Sequence, residues 1–66
     1  MNQNAGKKLR ELRGNKSQAE VAKDLMISGS ALSAYETGER IPRDDVKVRI
    51  AEYYGLTVQE IFFTNE

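Results

Sequence analysis

Cysteine, histidine and tryptophan are all missing from this 66-residue chain. Without Cys there is no disulfide staple and no thiolate nucleophile. Without Cys and His there is no zinc site of the usual kind and no histidine acid/base pair. The serines have no evident base to activate them, so enzymatic activity is not expected. Asp44 and Asp45 are adjacent carboxylates with no third ligand in view. They read as the acidic first turn of a helix and not as a metal site, and no cofactor is expected. Proline occurs once, and the five glycines are scattered as single breaks. No low-complexity tract or internal repeat is visible. No apolar run exceeds three residues, as in Leu25-Met26-Ile27 and Ile61-Phe62-Phe63. A membrane-spanning helix needs roughly 20, so no membrane partner is expected. A chain free of disulfides suits a reducing, cytoplasmic setting.

A net charge of zero, ten bases against ten acids, favours no class of partner by itself. Its distribution says more. Residues 1–23 carry six bases against two acids, and residues 24–66 carry four bases against eight acids. The chain is therefore basic first and acidic after. A domain this short, with no staple, must rely on well-packed helices or on self-association.

The helical signals are local and consistent. Residues 1–4 are polar and expected to fray. Residues 5–13 form a short basic helix that ends at Gly14. Ser17-Gln18-Ala19-Glu20 is a capping box that opens a second helix, with Val21, Ala22 and Leu25 on one face. Ser28 caps a third helix, which runs to about Thr37 and ends at Gly38. A loop over residues 38–43 contains Pro42. A fourth helix starts at Asp44 and ends at Gly55, and Thr57-Val58-Gln59-Glu60 is a second capping box for a short last helix. No stretch alternates long enough for a strand. The expected fold class is all-α: five helices in one domain over residues 5–63, with a tail at 64–66. The expected core is Leu9, Leu12, Val21, Ala22, Leu25, Ile27, Leu32, Tyr35, Ile41, Val46, Ile50, Tyr54, Leu56, Val58, Ile61 and Phe62.

One face of the third helix is unusual. Gly29, Ser30, Ser33, Ala34 and Thr37 share it, and none is long or charged. A solvated helix face usually carries Lys, Glu or Arg. A smooth face can press against another surface, and the major groove of B-DNA admits a helix of that width.

At this point a family pattern emerges. The run Ser17-Gln18, Val21-Ala22, Leu25, Ile27-Ser28, Leu32-Ser33, Tyr35-Glu36, Gly38, Arg40 and Pro42 resembles the helix-turn-helix of lambda-repressor/Cro-type (XRE-like) DNA-binding domains. The ending Ile50-Ala51, Gly55-Leu56-Thr57-Val58 and Ile61-Phe62 extends the likeness over most of the chain. The resemblance implies a compact five-helix domain whose recognition helix, about residues 28–36, enters the major groove of double-stranded DNA. Ser28, Gly29, Ser30, Ser33, Ala34 and Thr37 would face the groove. Gln18, Lys16, Arg40 and Arg43 would meet phosphates, and Gln18 would also brace the recognition helix. Glu36 would pair with an arginine of the first helix, Arg13 before Arg10. Met26 stands where the family's turn usually has glycine, the link between the first two helices is shorter than usual, and Lys16 fills a slot that is often apolar.

The groove positions lack Arg, Gln and Asn, so affinity is expected mainly from phosphates and selectivity from half-site spacing and DNA shape. The implied function is a transcriptional regulator, a repressor in the simplest case, of bacterial or phage type. As a homodimer it would place two recognition helices about 34 Å apart on an inverted repeat. Val58, Ile61, Phe62 and Phe63 are the candidate dimer contacts. A chain of this length leaves no room for an effector domain, so control by a separate regulatory protein is one expectation. The competing reading is a protein-interaction or antitoxin-like module on the same scaffold, and salt dependence separates the two.

Overall fold

The structure, a computed structural model, describes residues 3–63, with side chains from residue 5 onward. The expected tail at 64–66 and the first two residues of the expected frayed end lie outside the described residues. Five helices follow one another: α1 (Gln3–Arg13), α2 (Gln18–Leu25), α3 (Gly29–Thr37), α4 (Asp44–Tyr54) and α5 (Val58–Phe62). There is no strand among the described residues. The all-α expectation holds. The first helix begins two residues earlier than its apolar pattern shows, taking in Gln3 and Asn4.

Each helix starts and stops for a local reason. The hydroxyls of Ser17, Ser28 and Thr57 accept from the amides of Glu20, Ala31 and Glu60, each at 3.0 Å. At Thr57 the box is reciprocal, because the Glu60 carboxylate accepts from the Thr57 amide at 2.8 Å. That bond holds the Glu60 carboxyl below its ordinary pKa. At Ser17 only the hydroxyl half forms. The ends of α2 and α4 close in the same way. The amide of Ile27 reaches the Ala22 carbonyl at 3.0 Å, and that of Leu56 reaches the Ala51 carbonyl at 2.9 Å. Between them, Met26 (φ 60°) and Gly55 (φ 71°) take the left-handed conformation that this closure requires. Ile27 and Leu56 are thereby folded back against the core.

Leu9, Val21, Ala22, Leu25, Leu32, Tyr35, Val46, Ile50, Ile61 and Phe62 form that core, with Leu12, Ile27, Tyr54, Leu56 and Val58 packed partly buried against it. Ala5 and Ala51 are also buried. Their small size gives little apolar signal in a sequence. Ile41 is a correction: it is 54% exposed, and its neighbour Pro42 is buried instead. A short irregular loop turns only some of its side chains inward, and here the proline ring takes that place.

Two cross-helix contacts fix α2 and α3. Arg49 of α4 donates to the Leu25 carbonyl at 2.9 Å, and Arg10 of α1 donates to the Glu36 carbonyl at 2.6 Å. Both carbonyls belong to last turns, where no intrahelical donor remains and a cation is favoured. The crossing of α1 over α3 is close. A Cβ on Gly6 would lie 2.5 Å from the Glu36 carbonyl oxygen and 2.9 Å from that of Tyr35.

Opposite stability effects are therefore expected at two sites. Gly6→Ala should destabilise by about 1–3 kcal/mol through overpacking, despite alanine's better helix propensity. Met26→Gly should stabilise by about 0.5–1 kcal/mol, the relief of left-handed strain less the added freedom of the unfolded chain. Urea melts of the three proteins check both. A Gly6→Ala variant at least as stable as the parent would refute the close crossing.

Candidate nucleic-acid interface

The α2–turn–α3 unit is built from the residues that lock one side of α3. Leu32, Tyr35 and Glu36 are buried. Ala22, small and itself buried, sits in the middle of α2 where the two helices pack. The opposite side of α3 is open: Gly29, Ser30 and Thr37 are exposed, Ser33 is half-buried, and the capping residue Ser28 is exposed. No charged side chain lies on this face.

Ala34 does not belong there. It is 9% exposed. Its carbonyl accepts from the Thr37 hydroxyl at 3.1 Å and from the Arg40 amide at 3.3 Å, so the chain leaving α3 folds back beside it. Ala34 therefore sits at the edge of the packed side, and its expected place on the groove face does not hold. The Thr37 hydroxyl has its proton engaged by the helix and keeps only acceptor capacity outward.

Beneath the open face lies a polar knot centred on Glu36, whose side chain is 1% exposed. Arg13 binds its carboxylate through two of its three nitrogens, Nε to Oε2 at 2.8 Å and Nη2 to Oε1 at 3.1 Å. The Gln18 amide donates to Oε1 at 2.9 Å. The third nitrogen of Arg13, Nη1, donates to the Lys16 carbonyl at 2.9 Å, which ties down the turn between α1 and α2. The Glu36 partner is thus Arg13, while Arg10 takes the main-chain carbonyl of the same residue. The bonded carboxylate holds the Arg13 guanidinium above its ordinary pKa. Gln18 braces α3 from the N-terminus of α2, one of the two roles expected of it.

The expected phosphate contacts separate into two groups. Arg40 and Arg43 are exposed in the loop after α3. Arg43 has only a loose ion pair with Asp45 at 3.7 Å, which leaves its charge available. Lys16 is placed elsewhere. Its ammonium donates to the Tyr53 hydroxyl at 3.2 Å, and that hydroxyl donates to Asp24 at 2.8 Å. This hydrogen bond raises the lysine's pKa. Lys16 thus faces α4, a placement invisible in the sequence because its partner is 37 positions away.

At the C-terminus the dimer candidates also divide. Ile61 and Phe62 are buried in this chain's own core and are withdrawn as interface residues. Val58 is half-buried against the core. Phe63 is 56% exposed, with the Lys47 ammonium 5.0 Å from its ring. Among the described residues there is no cluster of metal-ligating side chains, and no helix is long and apolar enough to cross a membrane.

A helix-turn-helix with one locked side and one bare side is now in view, and residues 7–61 match the helix-turn-helix family of Cro/C1 (XRE) type. The chain belongs to that family. A DNA-binding, transcription-regulating kind of function comes with the membership, in a family that is typically non-enzymatic. No curated protein and no solved structure matches the chain.

The Glu36 knot makes the position of α3 sensitive to one substitution. Arg13→Met would leave the buried carboxylate with Gln18 as its remaining side-chain donor. The expected cost is about 2–4 kcal/mol, the lower part of the range for broken buried pairs because Arg13 keeps 20% of its side-chain surface exposed. The double variant Arg13→Met/Glu36→Leu should be more stable than Arg13→Met alone. Chemical denaturation distinguishes the cases, and a double variant weaker than the single would contradict the desolvation argument.

Proposed function

We propose that the chain is a sequence-selective transcriptional regulator, acting as a repressor, that inserts α3 into the major groove of double-stranded DNA and binds an inverted repeat as a homodimer. The observation that carries this reading is the open face of α3. Ser28, Gly29, Ser30, Ser33 and Thr37 line it with short side chains, while the other side is held by Arg13, Gln18 and Glu36. Arg40 and Arg43 would meet the sugar-phosphate backbone beside the groove, and the spare donor of the Gln18 amide would meet a phosphate near the start of α2. Hydroxyls discriminate bases weakly, so half-site spacing and groove shape would supply much of the selectivity. Exposed Phe63, with Val58 beside the core, is the supported candidate for the contact between protomers.

Selection from random duplexes tests the whole reading. Enrichment of an inverted repeat is expected, with affinity falling steeply as salt rises. Binding that ignores salt would favour the protein-interaction alternative. Ser33→Glu should abolish binding while leaving the circular dichroism of the helices intact. Arg40→Ala and Arg43→Ala should each weaken binding to all duplexes alike and lower the salt slope by about one. Unchanged slopes in both would remove the phosphate assignment. Phe63→Ser, at an exposed position, should leave stability unchanged and weaken dimerisation about tenfold. An unaltered monomer–dimer balance in sedimentation would count against that contact.

A further inference from the structure

Four of the five glycines have a reason inside the fold. Gly14, Gly38 and Gly55 hold φ of 60°, 83° and 71°, where side chains are strained. Gly6 sits at a helix crossing with no room for a Cβ. Gly29 has neither reason. It is the first residue of α3, it is not among the positive-φ positions, and a Cβ placed on it would meet no atom within 4 Å. Within a helix, glycine is less favourable than alanine because it loses more backbone freedom. Three positions earlier Met26 occupies a left-handed turn where glycine would relieve strain. Glycine is thus absent where folding would gain from it and present where folding gains nothing.

Resting on the groove reading above, we infer that Gly29 is a specificity-determining residue that acts by clearance. Its missing side chain lets the first turn of α3 lie in van der Waals contact with a sugar-phosphate strand at the groove edge. Close approach of backbone to a partner is a use of glycine that requires nothing of the chain's own packing. The neighbours do not hold the helix away: the Ser28 hydroxyl is turned back to the Ala31 amide at 3.0 Å, and Ser30 is short. Because the contact is with the strand and not with a base edge, it selects groove width and local shape.

The test compares Gly29→Ala and Gly29→Leu with Ser33→Glu, on the duplex that the unaltered chain enriches from a random pool. Gly29→Ala should melt roughly 2–6 °C higher than the parent. It should nevertheless bind about tenfold more weakly, with Gly29→Leu weaker again. If Ser33→Glu abolishes binding while both Gly29 variants bind like the parent, clearance is wrong and the groove reading stands. If Ser33→Glu also binds like the parent, or no duplex is enriched, the groove reading falls and clearance falls with it. A lower melting temperature for Gly29→Ala would reveal a folding reason for the glycine and likewise overturn the inference.

Discussion

A carboxylate buried as fully as that of Glu36 must find its donors inside the protein, since an unpaired buried charge is among the costliest defects a small domain can hold. Here the donors come from two separate stretches of chain. Arg13 stands at the end of α1 and Gln18 at the start of α2, and both converge on the inner side of α3. Arg10 joins them on the Glu36 carbonyl. One residue thereby sets the crossing of α1 over α3, the shape of the α1–α2 turn and the seat of α2. The close approach at Gly6 and the bond from Arg13 to the Lys16 carbonyl follow from the same convergence. The network engages the C-terminal half of α3. The N-terminal half is held by different means, the folded-back Ile27 and the small Ala22. The open face lies between these two anchors.

What was legible in the sequence was whatever depends on near neighbours. Ser17, Ser28 and Thr57 announce helix starts because the atoms they bond lie three residues on. Gly14, Gly38 and Gly55 announce stops because their backbone geometry is local. The periodic placement of Leu9, Val21, Leu25, Leu32, Ile50 and Ile61 defines a core without reference to how the helices cross. The Arg13–Glu36 pair was accessible only through the family pattern, since 23 positions separate the partners. The failures have one physical origin. Ala34 and Ile41 depend on how an irregular segment returns over a helix end, and Lys16 depends on a tyrosine from α4. Phe62 and Phe63 are adjacent aromatics with opposite fates, and which of them turns inward is decided by the last turn of a five-residue helix. Arg49 and Gly6 gave no warning, because a cross-helix cap and a missing Cβ have no period.

The charge pattern gains meaning from the fold. Among the described bases of residues 1–23, Arg13 is neutralised in an ion pair with Glu36, whereas Arg10 and Lys16 donate to a carbonyl and a hydroxyl and stay exposed. Counting bases by sequence position therefore overstates the cationic surface of the first third of the chain by Arg13. Arg40 and Arg43 lie in the nominally acidic part, yet they are exposed, and Arg43 is only loosely paired. Available charge is thus present in both segments.

This distribution bears on how a neutral protein with a plain helix face can select a duplex at all. A face of glycine and hydroxyls gives little discrimination through side-chain hydrogen bonds, so it gains only if it can come very near. Nearness requires that nothing project from the helix and that the helix not yield when pressed. The first condition is a matter of composition at residues 28–37. The second is a matter of the buried polar knot and the capped ends, where the Ser28 and Thr37 hydroxyls are themselves turned back to the helix. Rigidity behind and bareness in front are therefore complementary halves of one design, and neither would be useful alone. A long side chain on a loosely held helix could search for its base. A short one on a fixed helix can succeed only where the groove already has the right width, which places the burden of selectivity on the shape of the DNA.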